Sequence, residues 1–287
     1  MPGDPDPHTH RPAIADALRQ ATHLLEQAAV AVPRLTAEVL LCHAAHCERS
    51  YLYAHPEREL TELEWIHYGR YLSERLDGKP TQYITGRQEF YGREFLVSPD
   101  VLIPRPETEL VVETALRLAP PGARMVDVGC GSGAIAVSLA LERGTAVFAT
   151  DISPAALRMA GANAARLGAA VRLVSTDLLE CMAPASFQLV ASNPPYVSTA
   201  ERDSLQREVR DWEPPVALFA GPSGMEIYRR LVEEAARVLA PGGWLVMELG
   251  FKSRDRVLAM LGSVWTDVEA VPDLAGIPRV LAARRGA

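Results

Sequence analysis

Four consecutive residues, Asn193-Pro194-Pro195-Tyr196, follow directly after the apolar run Phe187–Ser192. The run predicts a buried β-strand, and it must end there because two prolines cannot donate hydrogen bonds to a sheet. The amide oxygen of Asn193 and the carbonyl of Pro194 can each accept one N–H, and the Tyr196 ring can cover a planar group. Open α/β sheets bind ligands at the carboxyl ends of their strands, so we predict a pocket for a flat NH2 group.

A second segment combines glycines with two more apolar runs. The run Arg124–Val128 leads into a turn and then into the helical stretch Ala134–Leu141, and the turn consists of Gly129, Cys130, Gly131, Ser132 and Gly133. Glycines at alternate positions tolerate positive φ and let a ligand approach the backbone. A further run, Ala146–Thr150, ends in Asp151, about 20 residues past the glycines, where a carboxylate can accept from both hydroxyls of a ribose. We therefore predict a nucleoside cofactor.

The chemistry of that cofactor depends on the Asn-Pro-Pro-Tyr segment. Nicotinamide dinucleotides and S-adenosyl-L-methionine both carry such a ribose, and a tight turn without a ligand would use the same glycines, so the turn leaves these alternatives open. A hydride site needs a group that polarises a carbonyl, and usually an acid or base as well. Asn193 to Tyr196 instead offer acceptors for an amide and an aromatic cover. The residues favour methyl transfer to a nitrogen.

Further motifs flank these two segments and carry a family resemblance. They are Gln82-Tyr83-Ile84-Thr85-Gly86, Glu89-Phe90-Tyr91-Gly92, Leu102-Ile103-Pro104-Arg105-Pro106-Glu107-Thr108-Glu109, Thr176-Asp177-Leu178, Trp212-Glu213-Pro214, Gly221-Pro222-Ser223-Gly224 and Asp273-Leu274-Ala275-Gly276. With them the chain resembles class I S-adenosylmethionine-dependent methyltransferases, and in particular the HemK/PrmC-like release factor glutamine methyltransferases. This resemblance implies methylation of the N5 amide nitrogen of the glutamine in the Gly-Gly-Gln motif of peptide chain release factors, which would modulate translation termination.

The resemblance also implies roles for individual residues. It puts Gly129 to Gly133 beneath the methionine part of the cofactor, Asp151 on the ribose, and Asp177 with Leu178 beside the adenine. Asn193 would contact both cofactor and substrate, and S-adenosyl-L-homocysteine would be the product. The segment that contains Arg105, Glu107 and Thr108 would position the ligands, although a linker that ends in a helix start is an equal alternative. Two departures are Leu178, where relatives can be aromatic, and Ser253, where many have glutamine.

The reaction needs neither a metal nor a dedicated base. Acceptors that hold both N–H groups would enrich the amide nitrogen and aim its lone pair, and the proton can leave after the transfer. Glu248 is the one base candidate, and we favour the alternative that it accepts from a nearby backbone N–H. Cys42, His43, His46 and Cys47 do not predict a metal site, because the pairs at i and i+4 spread over a broad helix face.

Periodicity predicts the architecture. Apolar residues at helical spacing over residues 14–76 indicate a small helical bundle. Strands predicted at 124–128, 146–150, 171–175, 187–192, 243–249, 265–270 and 279–284 alternate with helices, which indicates an α/β fold with a mainly parallel seven-stranded sheet, and the resemblance makes the last strand antiparallel. The predicted divisions are a disordered tail at 1–12, a helical substrate-recognition domain at 13–86, a linking β-hairpin at 87–103 and the methyltransferase domain at 104–287.

Composition limits the function without choosing it. The chain has 287 residues, of which 48% are hydrophobic, so it can bury a substantial core. It shows no membrane span, no signal peptide and no disulfide framework among its four cysteines, and we expect a cytoplasmic monomer. A net charge of −7 argues against stable binding to nucleic acid.

Three other functions stay open on sequence grounds. A glutamine methyltransferase that acts on a ribosomal protein would share the pocket and differ in its docking surface. A nucleic-acid adenine N6-methyltransferase would use the same kind of acceptor segment, but we would expect an added domain rich in Lys and Arg. An inactive cofactor-binding scaffold is disfavoured by the presence of Asn193 and Tyr196.

Overall fold

The computed structural model describes residues 11–287 of the chain. The chain divides into two compact units, of which the first ends at Gly86 and the second comprises Arg87–Ala287. The first ten residues of the predicted disordered tail lie outside the described residues. The boundaries predicted at residues 13, 87 and 104, and the linking role of the hairpin, stay predictions.

The described part of the first unit is a small helical bundle, as predicted, and it contains five helices. They are α1 (Ile14–Gln27), α2 (Pro33–Ala45), α3 (Arg49–Ala54), α4 (Glu62–Leu76) and α5 (Thr81–Thr85). α4 begins at a capping box in which the side chains of Thr61 and Glu64 accept from each other's backbone N–H groups. Tyr68 of α4 is fully buried and donates a hydrogen bond of 3.1 Å to the Ala37 carbonyl of α2. Apolar faces at helical spacing thus form this core.

Cys42 and Cys47 lie at the end of α2 and just after it. Both side chains are partly buried against the core of the first unit, and burial raises the pKa of Cys42 to about 12. Within residues 11–287 there is no group of three or more His, Cys, Asp or Glu side chains that could hold a metal ion.

The second unit begins with a β-hairpin of β1 (Arg87–Phe90) and β2 (Arg93–Leu96). Phe90 and Phe95 are buried in the core of this unit, with their rings edge to face. The Asn163 side chain exchanges two hydrogen bonds with the backbone of Leu96, at 2.8 and 2.9 Å, and donates a third to the Ser132 carbonyl. The hairpin is therefore an integral part of the packing of the second unit.

Behind the hairpin, the described residues form a seven-stranded sheet, as predicted. Its strands in spatial order are β5 (Val171–Ser175), β4 (Val147–Asp151), β3 (Met125–Val128), β6 (Phe187–Ser192), β9 (Leu239–Glu248), β11 (Pro278–Arg285) and β10 (Trp265–Pro272). Neighbouring strands are parallel, except that β11 is antiparallel to both β9 and β10. The sheet thus has the antiparallel last strand that the resemblance implies.

Helices cover both faces of the sheet because successive strand residues point to opposite sides. Met125 packs in one core with residues of α6 (Glu109–Leu118), α7 (Ala134–Arg143) and α8 (Pro154–Leu167). Val126 packs in the other with residues of α11 (Glu226–Val238) and α12 (Arg254–Leu258). Other elements are α9 (Arg207–Trp212), α10 (Pro215–Leu218), a 3-10 helix at Thr199–Ser204 and a parallel pair, β7 (Val197–Ser198) and β8 (Phe219–Gly221). None of the helices within residues 11–287 is long and apolar enough to cross a membrane.

One predicted strand boundary differs clearly from the structure. The strand predicted at 243–249 begins instead at Leu239, directly after α11. Pro241 and the two glycines that follow it form an irregularity inside the strand, since Phe187 pairs with Leu239 whereas Leu189 pairs with Trp244. The segment after Arg105 is a turn of 3-10 helix, Pro106–Thr108, which leads straight into α6. Proline favours this because its φ suits the first turn of a helix.

Candidate active site

The register of the sheet brings four strand ends together at one edge. Val128 of β3 pairs with Ser192 of β6 and with Thr150 of β4, and Ser192 also pairs with Met247 of β9. The Ser192 hydroxyl donates to the Val128 carbonyl over 2.8 Å, which ties β6 to β3 at their ends. The residues that follow these partners are Gly129, Asn193, Asp151 and Glu248. Residues from four separate segments therefore meet where an open sheet binds ligands.

A cavity of about 240 Å³ lies at this edge. The predicted site residues that line it are Thr108, Gly129, Cys130, Gly131, Ser132, Asp151, Asp177, Leu178, Asn193 and Pro195. Predicted residues outside its lining are Arg105, Glu107, Gly133, Pro194, Tyr196 and Glu248. One cavity thus receives residues from two segments: the glycine turn (residues 129–133) and the Asn-Pro-Pro-Tyr corner (residues 193–196).

The glycine turn is fixed by contacts with the end of β4. The backbone N–H groups of Gly129 and Cys130 both donate to the Thr150 carbonyl over 2.9 Å. Asp151 Oδ2 accepts from Gly131 N at 2.9 Å, and Asp151 Oδ1 accepts from Ser153 N at 2.8 Å. Each carboxylate oxygen has a second lone pair, so Asp151 can hold the turn and still accept from a ligand.

Glycine is strongly favoured at the last position of the turn. Gly133 has φ +82°, and a Cβ added there would lie 3.1 Å from the Cβ of Ala160 on α8. Gly129 and Gly131 also have positive φ, and a Cβ added to either would meet open space. The turn can therefore offer bare backbone to a ligand while it packs closely against α8.

A chain of hydrogen bonds connects the Asn-Pro-Pro-Tyr corner to Glu248. Asn193 Nδ2 donates to Thr108 Oγ1 over 3.1 Å, and Thr108 Oγ1 donates to Glu248 Oε2 over 2.5 Å. Tyr196 Oη donates to Glu248 Oε1 at 3.4 Å. Thr108 and Glu248 are only 4% and 3% exposed. The structure thus joins Asn193 and Tyr196 through two residues that are distant from them in the sequence.

The ring of Tyr196 is held by the backbone that follows β9. A Cβ added to Gly250 would lie 2.7 Å from Tyr196 Cδ2, so only glycine leaves room for the ring. The hydroxyl of Tyr228 donates to the Glu248 carbonyl and accepts from Gly250 N, both at 2.9 Å. Burial raises the pKa of Tyr196 above its ordinary value, and the charge of Glu248 adds to this. Tyr196 therefore stays a neutral donor.

The partners of Glu248 differ from the expected ones. We favoured acceptance from a backbone N–H, and this is wrong, because the hydroxyls of Thr108 and Tyr196 occupy the carboxylate. Burial raises the pKa of Glu248 to about 7; the hydrogen bond from Thr108 opposes this and the charge of Glu107 adds to it. A carboxylate that titrates near neutral pH can change the direction of the hydrogen bonds around it.

Arg105 and Glu107 are not part of the hydrogen-bonded chain between Asn193 and Glu248. Arg105 forms an ion pair with Glu213, whose side chain is 1% exposed, and so joins the segment before α6 to the Trp212-Glu213-Pro214 motif. Burial raises the pKa of Glu213, and Arg105 opposes that rise. Glu107 is exposed. Arg105 thus anchors the wall of the cavity to which Pro214 belongs.

Asp177, which lines the cavity, is paired with a residue that the sequence patterns do not predict. Asp177 Oδ2 lies 2.8 Å from Arg230 Nη2 of α11, and Arg230 also lines the cavity. Ile152, Val216, Ala217 and Ile227 add apolar lining that was not predicted either. Ile152 follows Asp151 directly and could have been found from that position, whereas α10 and α11 carry no signal for the site.

A second missed residue lies beneath the glycine turn. Asp127 is fully buried in β3, and its Oδ2 accepts from Ala136 N at 3.0 Å. Its Oδ1 has no hydrogen-bond partner among the described residues. Burial raises the pKa of Asp127 to about 7, while the bond from Ala136 opposes the rise. An acid two residues before Gly129 was the available signal.

The strand order, the antiparallel strand β11 and the glycine turn after β3 define a class I methyltransferase fold. A methyltransferase from Pyrococcus furiosus has the same fold: it is 19% identical with a TM-score of 0.51, and the match covers 76% of this chain and all of that one. Residues 16–86 match the model of the PrmC N-terminal domain, and residues 107–209 match the methyltransferase small domain.

Full-length relatives carry one common name. The release factor glutamine methyltransferase of Koribacter versatilis is 49% identical over 276 residues, which cover 95% of this chain and 98% of the relative. That of Nitratidesulfovibrio vulgaris is 43% identical over 288 residues, which cover 96% and 97%. The chain belongs to the release factor glutamine methyltransferase family.

Proposed function

We propose that this protein transfers a methyl group from S-adenosyl-L-methionine to the side-chain amide nitrogen of the glutamine in the Gly-Gly-Gln motif of peptide chain release factors, and so modulates translation termination. The observation that carries this is that residues 129–132 of the glycine turn line the same cavity as Asn193 and Pro195 of the Asn-Pro-Pro-Tyr corner. The names of its full-length relatives support the same acceptor, and they favour it over a ribosomal protein or a nucleic acid.

The residues of the cavity fit the cofactor. The open backbone at Gly129 and Gly131 suits the methionine part, and the free lone pairs of Asp151 suit the ribose hydroxyls. Leu178 and Ile152 give apolar contact for the adenine, near the carboxylate of Asp177. S-adenosyl-L-methionine supplies an electrophilic methyl group on its sulfonium when bound. The rest of the catalysis falls to the Asn-Pro-Pro-Tyr corner.

The corner acts on the acceptor amide. The amide nitrogen is a poor nucleophile because its lone pair is delocalised into the carbonyl. Asn193 Oδ1 and the Pro194 carbonyl accept the two N–H groups, which enriches the nitrogen, and the Tyr196 ring covers the planar group. Holding the nitrogen in line with the methyl group removes most of the entropic barrier. The proton leaves after transfer, when the nitrogen has become acidic, so Glu248 need not act as a base.

We further propose the finer points of the working enzyme. It acts as a cytoplasmic monomer, needs no metal, and does not bind nucleic acid stably, in line with its net charge of −7. The helical unit that ends at Gly86 recognises the substrate, and residues 87–103 link it to the methyltransferase domain.

Transfer of label tests the proposal. The full-length protein is incubated with methyl-labelled S-adenosyl-L-methionine and a bacterial release factor, and in parallel with a ribosomal protein preparation and with RNA and DNA. Label is expected on the release factor only, and it should be lost when the glutamine of its Gly-Gly-Gln motif is replaced by alanine. Label on the ribosomal protein or the nucleic acid instead would replace this function by one of the alternatives.

A further inference from the structure

The hydroxyl of Thr108 lies between a carboxylate and an amide and has only one proton to share. It is 2.5 Å from Glu248 Oε2 and 3.1 Å from Asn193 Nδ2. An ionised carboxylate can only accept, so it takes the proton of the hydroxyl. The Thr108 oxygen must then accept from the Asn193 side chain, which can offer it only the NH2 end of the amide. The Asn193 oxygen is left pointing away from Thr108.

We infer that Glu248 and Thr108 are positioning residues, and that they fix which end of the Asn193 amide faces the acceptor nitrogen. This inference rests on the proposed function. It concerns orientation alone: neither residue exchanges a proton with the acceptor.

An unassisted asparagine could not make this choice. The two ends of its amide have nearly the same shape, so packing alone does not distinguish them. In the reversed orientation Asn193 would direct an N–H toward the N–H of the acceptor, and both groups would be left without a partner. Thr108 and Glu248 are almost completely buried, so the direction of their hydrogen bonds is set by the protein rather than by water.

The inference is tested by exchanging donor and acceptor at residues 193 and 248, the two ends of the hydrogen-bonded chain through Thr108. In Asn193→Asp, the residue can no longer donate to Thr108, whose proton already goes to Glu248. In Glu248→Gln, the new side-chain NH2 can donate to Thr108, which then donates to residue 193 and turns the asparagine over. In the double variant N193D/E248Q the hydrogen bonds run in reverse, and an aspartate oxygen again faces the acceptor. We express the kcat of each variant at pH 8 as a fraction of the wild-type kcat. The fraction for the double variant is expected to exceed the product of the fractions for the two single variants by about tenfold or more.

Thr108 supplies the matched control. The wild type, the two single variants and the double variant are compared again in the presence of Thr108→Val, which keeps the shape and removes the hydroxyl. The tenfold excess should then disappear. Thr108→Ser, which keeps the hydroxyl, should recover more turnover than Thr108→Val. The kcat for release factor methylation is measured in each case, together with the Kd for S-adenosyl-L-homocysteine.

The outcomes separate this inference from the proposed function. No methylation of the release factor by the wild-type protein would refute the function. The positioning role would be refuted if the wild type methylates the release factor but the relative kcat of the double variant equals the product of those of the single variants. It would also be refuted if the double variant shows the same excess in the Thr108→Val background. If Glu248 were instead a general base, Glu248→Gln would lower kcat by the same factor whether residue 193 is Asn or Asp. If a double variant does not fold, the pH profiles of wild type and Thr108→Val decide, because only the wild type should lose kcat as Glu248 takes up a proton.

Discussion

The glycine turn and the Asn-Pro-Pro-Tyr corner lie side by side at one edge of the sheet, but they are held in different ways. The glycine turn is fixed mainly by neighbours along the chain, such as the contact between Gly131 and Asp151, 20 residues apart. The corner depends on distant segments, since Asn193 contacts Thr108 from 85 residues away and Tyr196 contacts Glu248 from 52. The glycine turn in the cofactor half of the site is therefore encoded within a short stretch of chain, whereas the acceptor half exists only in the folded protein.

Removing the amide of the corner should have the largest effect. Asn193→Ala takes away an acceptor for the target nitrogen, and loss of one such group lowers kcat by about 10²–10³-fold. The Kd for S-adenosyl-L-homocysteine, measured by calorimetry, should stay within a few-fold of the wild-type value, because the glycine turn has its own contacts. Unchanged turnover in this variant would remove Asn193 from the mechanism.

A methyl group at Gly250 should disturb the same half of the site from outside the cavity. The new Cβ would lie 2.7 Å from Tyr196 Cδ2, so the ring must move, and a displacement of this size at a reacting group costs about 10²-fold or less in kcat.

Gly262→Ala is the matched control for Gly250→Ala. A Cβ at Gly262 meets no atom within 4 Å, so this variant should turn over like the wild type. Equal kcat values for the two variants would show that the position of the Tyr196 ring is unimportant.

A change at Asp151 should affect the cofactor half instead. In Asp151→Asn one oxygen becomes an NH2 group, which opposes either the N–H of Gly131 or Ser153 or a ribose hydroxyl. The Kd for S-adenosyl-L-homocysteine should rise by about tenfold, the usual effect of one unsatisfied polar group. Kinetics at saturating cofactor should show a smaller loss than Asn193→Ala. A change in kcat alone, with the Kd preserved, would contradict the division of the site into two halves.

The pH dependence of turnover should be the smallest effect. Burial raises the pKa of Glu248 to about 7, and a proton on its Oε2 would make this oxygen a donor to Thr108, so kcat should fall by up to about tenfold between pH 8 and pH 6. The titratable groups around Glu248 are Glu107, Tyr196, Tyr228 and Arg279.

Asp127 requires a control, because its pKa is also about 7. Thr108→Val should flatten the part of the pH profile that belongs to Glu248 and leave any part that belongs to Asp127. A profile that Thr108→Val does not alter would argue against a role for Glu248 in orienting Asn193.

Sequence patterns predicted most of the sheet. The strand β6 and its end at Asn193 were found because an apolar run and two prolines are local signals. The strand β9 was placed four residues too late, because the Pro-Gly-Gly segment lies inside the strand and is accommodated by an irregular pairing with β6. Arg230 and the partners of Glu248 were missed because their roles arise from packing between elements, which periodicity does not encode.

The sequence by itself determined the alternation of strands and helices, the glycine turn and the residues of the acceptor corner, because these follow from hydrophobic period and from the backbone limits of glycine and proline. Only the tertiary structure decided that the Thr108 hydroxyl lies between Asn193 and Glu248, since it joins segments 85 and 140 residues apart. The direction of a hydrogen bond depends on both of its partners, and the fold alone brings them together.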